Sequence, residues 1–193
     1  KPRDGERPLH DFPSGSLYKR EYAAYLLSRS LGWPHVPITV IRDGPYGPGS
    51  LQLYVNSDPH LTYFDLINDN AEELVRFAVF DLLANNADRK AGHCLLGNDK
   101  RIWSIDHGLT FHSIFKLRTV MLEFWGTPIP QRLLGDMEAL AGHLDSQAGL
   151  TADLTELITE QEIEALRRRL AAMLKDPVIP SLDPHHDVPW PLV

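Results

Sequence analysis

Two short segments of the chain carry residue types suited to phosphate chemistry. Residues 85–93 read Asn-Asn-Ala-Asp-Arg-Lys-Ala-Gly-His, and residues 105–111 read Ile-Asp-His-Gly-Leu-Thr-Phe. Each segment places one carboxylate, Asp88 or Asp106, among turn-forming residues. Two such carboxylates can orient an acceptor hydroxyl and hold a divalent metal on a triphosphate. The pattern therefore indicates a phosphotransferase-type nucleotide site, although it does not specify the acceptor.

A helix and a β-hairpin are predicted to position these segments. Residues 70–84 are apolar around much of the helical circumference, which is typical of a core helix that ends at the Asn pair. Residues 93–96 and 101–105 form the predicted hairpin. Its two-residue turn is expected to be centred between Asn98 and Asp99.

This hairpin register would bring three polar groups to one rim. His93 would lie opposite Ser104, and because strand side chains alternate between faces, His93 and Asp106 become diagonal neighbours. Diagonal cross-strand neighbours lie roughly 7–8 Å apart, within reach of one shared ion. Asp88 lies in the loop that feeds the first strand. We therefore expect Asp88, His93 and Asp106 to converge.

The three groups can be given distinct roles in phosphoryl transfer. Asp88 suits the carboxylate beside the acceptor hydroxyl, while Asp106 and His93 suit the metal ligands. Histidine is an unusual ligand for magnesium, so manganese or another imidazole-tolerant metal fits better. Lys1 can supply a cation that neutralises phosphate charge, and Glu21 can orient that cation.

Each of these residues has a plainer explanation when it is taken alone. An Asp-Arg pair after a helix is usually a cap or a surface ion pair. A lone strand histidine is usually a hydrogen-bonded polar residue, and Lys1 alone would be a solvated terminus. The site hypothesis therefore depends on all the elements occurring in order along the chain.

The remaining elements predict an α+β fold with a small β-rich lobe followed by a larger helical lobe. They are a helix at 17–31, a hairpin of strands 36–41 and 51–55 around a Gly/Pro-rich loop at 43–49, and a helix at 159–174. The late helix opens with Thr159 and Glu162, the two residues of a capping box. We expect the lobe boundary to divide the chain into 1–56 and 57–193.

Composition excludes several classes of function. A net charge of −7 disfavours a broad nucleic-acid interface, which needs a basic face. No apolar run approaches the ~20 residues of a spanning helix, so stable membrane insertion is not expected. The single cysteine, Cys94, excludes an internal disulfide. Together with the lack of a visible signal peptide, it favours a reducing, cytoplasmic location.

The two segments resemble the catalytic and metal-binding loops of type II phosphatidylinositol 4-kinases. Asn86-Ala87-Asp88-Arg89 followed by His93 is similar to their N-x-D-R-x-x-x-N pattern. Residues 105–111 are similar to I-D-N-G-L-A-F, the counterpart of the kinase D-F-G. Lys1-Pro2 with Gly5-Glu6-Arg7-Pro8 resembles the K-P segment that carries the nucleotide lysine. As a whole, the chain resembles a small bacterial family described as phosphatidylinositol 3/4-kinase-like and of unassigned substrate.

This resemblance implies a protein-kinase-like two-lobed fold that uses ATP and a divalent metal, Mg or Mn. It implies transfer of the γ-phosphoryl group to a hydroxyl on a protein, small molecule or lipid. The implied site residues are Asp88 as the catalytic carboxylate, Lys1 on the phosphates with Glu21 as its partner, Gln52, Leu53, Tyr54 and Val55 as the adenine hinge, and His93 and Asp106 as metal ligands.

Two departures from the kinase pattern leave alternatives open. His93 stands where such kinases place an asparagine, and the strands expected before the nucleotide lysine are absent, so the N-lobe is expected to be incomplete. A pseudokinase, which binds nucleotide or metal as an interaction module without turnover, is therefore the main alternative. Nucleotidyl transfer with a reversed triphosphate and a metal-dependent hydrolase are the others.

Overall fold

A computed structural model describes residues 1–33 and 35–193. Within these residues the chain forms five α-helices, two short 3-10 helices and two antiparallel sheets of two strands each. In chain order the elements are α1 (Leu17–Ser30), β1 (Thr39–Gly44), β2 (Gly47–Gln52), α2 (Tyr63–Ala84), a 3-10 helix (Ala91–His93), β3 (Cys94–Leu96), β4 (Ile102–Ser104), a 3-10 helix (Leu122–Phe124), α3 (Gln131–Asp145), α4 (Leu150–Thr155) and α5 (Glu160–Lys175).

The first hairpin, β1–β2, is extended at its edge by the start of the chain. The Lys1 carbonyl accepts the Ser50 N–H at 2.9 Å, and the Lys1 α-amino group donates to the Ser50 carbonyl at 2.8 Å. Pro2 bridges Gly49 in antiparallel fashion. A Cβ added at Gly49 would lie 2.6 Å from the Lys1 carbonyl oxygen, so this close approach requires glycine.

The β1–β2 hairpin differs from the prediction in its bounds. The strands run through the predicted loop until Gly44 pairs with Gly47, whereas residues 53–55 lie outside the sheet. The reason is a tight turn at Pro45 and Tyr46, after which Gly47 has a φ of +73°. Because Gly47 adopts this left-handed conformation without strain, the Gly/Pro-rich residues pair at the sheet edge instead of forming a long loop.

Helix α1 packs against this sheet, and two adjacent residues on it are buried and charged. Arg20 donates to the Thr110 carbonyl and to Glu162 of α5, each at 2.6 Å, and Glu21 is 3% exposed. The start of the helix is held by the carboxylate of Glu6, which accepts the backbone N–H groups of Gly15 and Leu17. Helix α1 is thereby tied to distant parts of the chain.

Helix α2 is the central core helix, as predicted, but it begins at Tyr63 instead of residue 70. Thr62 donates its N–H to the Asp65 carboxylate at 2.8 Å, which stabilises the earlier start. Asn70 has non-helical backbone angles inside the helix. The kink therefore lies at the residue where the helix was predicted to begin. The turns before Asn70 are more polar, so the apolar pattern in the sequence did not indicate them as part of the helix.

The second hairpin, β3–β4, corrects the predicted register by one residue. Cys94 pairs with Ser104, and His93 belongs to the preceding 3-10 helix instead of a strand. The cause is a three-residue loop, in which Lys100 has a φ of +66° and the Gly97 N–H donates to the Arg101 carbonyl at 2.9 Å. The predicted two-residue turn would pair each residue of β4 with the residue one position earlier on β3, as in the predicted pair of His93 and Ser104.

The C-terminal half is mainly helical, as predicted. Helix α5 opens with the predicted capping box, in which Thr159 and Glu162 exchange hydrogen bonds of 2.9 and 3.3 Å. Helices α2, α3 and α5 share one hydrophobic core. No helix in the described part of the chain is both long and apolar enough to cross a bilayer.

Candidate active site

Lys1 lies between two carboxylates from distant elements. Its Nζ contacts Glu21 Oε1 on α1 and Asp106 Oδ1 in the loop after β4. The second oxygen of Glu21 accepts the backbone N–H of His107 at 3.0 Å. Asp106 adopts a left-handed φ of +58°, which Asp tolerates better than most residues. One buried carboxylate thus fixes both the lysine and the loop that carries Asp106.

The contacts around Lys1 stabilise the charged forms of Lys1 and Asp106. Burial would lower the pKa of Lys1, but the carboxylates of Glu21 and Asp106 outweigh it and raise the pKa. Burial would also raise the pKa of Asp106, but the Lys1 ammonium holds it below its usual value. Near neutral pH the site therefore presents the Lys1 ammonium beside the Asp106 carboxylate.

His93 faces the other oxygen of Asp106. Its Nε2 lies 3.8 Å from Asp106 Oδ2, while its Nδ1 accepts the Lys90 backbone N–H at 3.4 Å. Burial, with the nearby Arg89 guanidinium, lowers the pKa of His93 to about 4, so the ring is neutral. A neutral ring that accepts at Nδ1 carries its proton on Nε2. Coordination through Nε2 would therefore require the other tautomer.

The donor set fits a divalent ion that takes further ligands from phosphate. Among the described residues, no group of three or more His, Cys, Asp or Glu side chains could hold a metal. Asp106 offers a carboxylate, and the neighbouring His93 ring would offer Nε2 in the tautomer protonated at Nδ1. Magnesium and related ions in nucleotide sites commonly use one or two protein side chains together with phosphate oxygens and water.

Asp88 lies in the loop that follows α2. Its backbone N–H donates to Asn86 Oδ1 at 3.1 Å, and its Oδ2 lies 3.4 Å from Lys90 Nζ. Burial raises the pKa of Asp88, Lys90 opposes that shift, and the charge of Asp106 adds to it. A carboxylate with a raised pKa and partial exposure is suited to accepting a proton from a hydroxyl.

A buried network that the sequence did not predict joins the two loops. Arg89 is fully buried and makes two bonds to the Asp81 carboxylate, at 2.6 and 2.9 Å. It also donates to the Ile105 carbonyl at 3.0 Å and lies 2.9 Å from His107 Nε2. Taken alone, Arg89 suggested a surface ion pair. The available signal was Asp81, an acid within an otherwise apolar core helix.

Three of the predicted hinge residues, Leu53, Tyr54 and Val55, line a different groove from Lys1. Gln52 donates its side-chain N–H to Thr39 Oγ1 at 3.0 Å, and Tyr54 is 86% exposed. Residues 53–56 line a groove of about 200 Å³ against the β3–β4 turn and Trp103. The lining of this groove includes neither Lys1 nor Asp106. An adenine-binding role for these residues stays a prediction.

Comparison with known proteins supports the fold and assigns the family. No protein-family model matches the chain. The chain is similar in structure to a Golgi casein kinase with Mn/ADP bound, with a TM-score of 0.50 and 18% identity. That likeness covers 89% of this chain but only 63% of the kinase chain, so this chain spans less than two thirds of the kinase's length. The predicted kinase-like, two-lobed α+β fold is thereby confirmed, whereas the closer likeness to phosphatidylinositol 4-kinases stays a prediction.

The relationship in sequence is much closer. The chain is 43% identical over 227 residues to "Protein Rv2133c" of Mycobacterium tuberculosis (strain ATCC 25618 / H37Rv). The match covers 99% of this chain and 81% of the mycobacterial protein. The chain belongs to the family of this mycobacterial protein.

Proposed function

We propose that the protein is an ATP-dependent phosphotransferase that moves the γ-phosphoryl group to a hydroxyl acceptor. The observation that carries the proposal is the contact of Lys1 with both Glu21 and Asp106. The chain start, helix α1 and the loop after β4 are far apart in sequence, yet they converge on one ammonium. In this proposal residues 1–56 form the smaller lobe, residues 57–193 form the larger lobe, and the site lies between them.

Three groups would bind the nucleotide. Lys1 would contact the phosphates while Glu21 keeps it in place. Asp106 and His93 would hold the divalent metal, which supplies charge neutralisation on the triphosphate when bound. The segment 52–55 would contact the adenine. Because Lys1 contacts Asp106 directly, phosphate binding would redistribute the Lys1 hydrogen bonds.

Asp88 would act on the acceptor. Its carboxylate would orient the hydroxyl and take its proton as the hydroxyl oxygen forms a bond to the γ-phosphorus. The bond from that phosphorus to the bridging oxygen breaks, and ADP leaves with the electron pair. The raised pKa of Asp88 favours the proton transfer.

His93 would make the site prefer manganese to magnesium. Imidazole nitrogen is a better ligand for manganese than for magnesium, which prefers oxygen. Replacing His93 with Asn would supply an amide oxygen in its place. We therefore expect His93→Asn to shift the preference toward magnesium.

Calorimetric titration of ATP tests the proposal. ATP is titrated into the full chain with magnesium, with manganese and without metal, and into Asp106→Asn. Asp153→Asn on α4 is the matched control, because Asp153 is exposed and away from the site. Metal-dependent binding that only Asp106→Asn abolishes supports the nucleotide site, and loss of turnover with retained binding in Asp88→Asn supports catalysis. Absence of ATP binding with either metal would refute the proposal.

A nucleotide-binding module without turnover is the second candidate. It is favoured by the bond from the Lys90 N–H to His93 Nδ1, because that tautomer directs an N–H toward Asp106. Such a site would bind nucleotide or metal and would give no product. The same titrations, followed by an assay for ADP release, distinguish the two functions.

A further inference from the structure

A short extended segment after the Asp106 loop pairs with the loop that carries Asp88. The Arg118 N–H donates to the Asn86 carbonyl, and the Arg89 N–H donates to the Arg118 carbonyl, both at 3.0 Å. The Val120 N–H then donates to the Arg89 carbonyl at 3.1 Å. Arg89 and Thr119 form a parallel bridge. Residues 117–120 therefore lie beside the catalytic loop like a parallel strand.

This pairing brings the backbone of Arg118 alongside the loop that carries Asp88. Arg89 and Thr119 are buried, so both point inward. Because Arg118 bonds to the Asn86 carbonyl and to the Arg89 N–H, Ala87 and Asp88 both lie opposite it, and of these two only Asp88 is partly exposed. Arg118 is exposed, and Lys90 Nζ, 3.4 Å from Asp88 Oδ2, adds a second cation. Two cations, Lys90 and Arg118, are therefore carried by the segments around Asp88, within a chain whose net charge is −7.

One acidic group on which Arg118 acts is already paired with another cation. Lys116, which lies 2.8 Å from Asp11, lowers the pKa of Asp11, and the charge of Arg118 adds to this shift. Lys116 and Arg118 together therefore exceed the single charge of Asp11. The Arg118 guanidinium keeps binding capacity for an external anion, since a guanidinium offers five N–H donors.

The outer edge of this segment is already covered by the chain itself. The Thr119 N–H donates to the Asp187 carbonyl at 2.9 Å, and the Ala91 N–H donates to the Leu192 carbonyl at 2.8 Å. An extended peptide acceptor often binds by adding a strand to such an edge, using free backbone groups. With these groups occupied, peptide docking beside Asp88 is disfavoured, and a small acceptor fits better.

We propose that the acceptor is a hydroxyl compound of small size that carries a phosphate or carboxylate, and that Arg118 binds this anionic group while Asp88 faces the hydroxyl. This inference rests on the proposed phosphotransferase function and makes Arg118 its specificity-determining residue. Arginine binds phosphate and carboxylate through paired N–H groups, which fixes orientation as well as charge. The same anionic chemistry is offered by a soluble metabolite and by a lipid headgroup.

Binding of matched compounds tests the proposal. Glycerol 3-phosphate, O-phosphoserine and glycerate are compared with uncharged glycerol, by titration into the full chain with and without ADP and manganese. We expect the anionic compounds to bind and glycerol not to bind. Arg118→Ala should weaken the anion affinity about 10- to 100-fold, the usual effect of losing a charged hydrogen bond. Arg168→Ala, which removes an exposed arginine from α5, is the matched control and should change nothing.

Two further arms separate the sources of the anion and the possible failures. Binding to vesicles of phosphatidylglycerol, compared with phosphatidylcholine, reports whether a lipid headgroup supplies the anionic group. Binding of a soluble anion or of the lipid supports the proposal if Arg118→Ala weakens that binding. Binding by none of the anionic probes, or equal binding to Arg118→Ala, would overturn it. Absence of ADP binding refutes the phosphotransferase function instead, and the titrations without ADP then decide the role of Arg118 separately.

Discussion

The buried Asp81–Arg89 pair should dominate the stability of both loops. Arg89→Met would leave the Asp81 carboxylate, which is 1% exposed, without its cation. Breaking one side of a buried ion pair costs about 3–5 kcal/mol. The upper end applies because Arg89 also donates to the Ile105 carbonyl and lies 2.9 Å from His107 Nε2. Since a domain of this size loses about 2–4 °C in Tm per kcal/mol, a cost of about 5 kcal/mol should lower the Tm by about 10–20 °C.

A double-mutant cycle isolates the pair. Asp81→Asn alone leaves an uncompensated guanidinium, and it should also cost about 3 kcal/mol. The double variant Asp81→Asn/Arg89→Met leaves no buried charge, so it should cost clearly less than the sum of the single variants. Urea unfolding followed by tryptophan fluorescence measures all three variants, and the exposed Arg168→Ala should stay within about 0.5 kcal/mol of the parent. A single-variant cost below about 1 kcal/mol, or full additivity, would refute the reasoning.

Three further predictions concern the site and its pH dependence. Gly49→Ala should weaken ATP binding, because its Cβ would displace the Lys1 backbone. Gly142→Ala on α3 is the control: its Cβ meets no atom within 4 Å, so it should leave ATP binding intact in the same titration. Glu21→Gln should weaken ATP binding about 10-fold, because the neutral amide holds Lys1 less firmly; equal affinity would contradict this role. His93 has a folded pKa of about 4, below its unfolded value, so the unfolded state takes up the proton first. The free energy of unfolding should therefore fall as pH drops from about 6.5 toward 4, and urea titrations should show a smaller fall in His93→Asn.

The sequence predicted the start of a helix correctly where that start depends on two residues close together in the chain. The capping box of Thr159 and Glu162 begins α5 at the expected place, because both partners lie within one turn. The β3–β4 register depends on the length of the loop, and the sequence did not show which length occurs. In the structure Lys100 has a left-handed φ, which belongs to the three-residue loop. The kink at Asn70 similarly hid the first turns of α2.

The candidate site was predictable only as a set of residue types. Lys1, Glu21 and Asp106 were named from the sequence, and the structure brings them into contact, while their catalytic roles stay predictions. The pairing of residues 117–120 with the loop that carries Asp88 was not predictable, because the two backbone segments are distant in sequence. Contacts of this kind follow from the packing of the whole chain and leave no periodic pattern in sequence.

The adjacent charges on α1 have a consequence for motion. Arg20 bonds to the Thr110 carbonyl and to Glu162, while Glu21 accepts the His107 N–H. Helix α1 therefore cannot swing away from the loop after Asp106 without breaking several buried bonds at once. In amide hydrogen exchange, α1 and residues 107–110 should open as one cooperative unit, with a shared protection that is lost together.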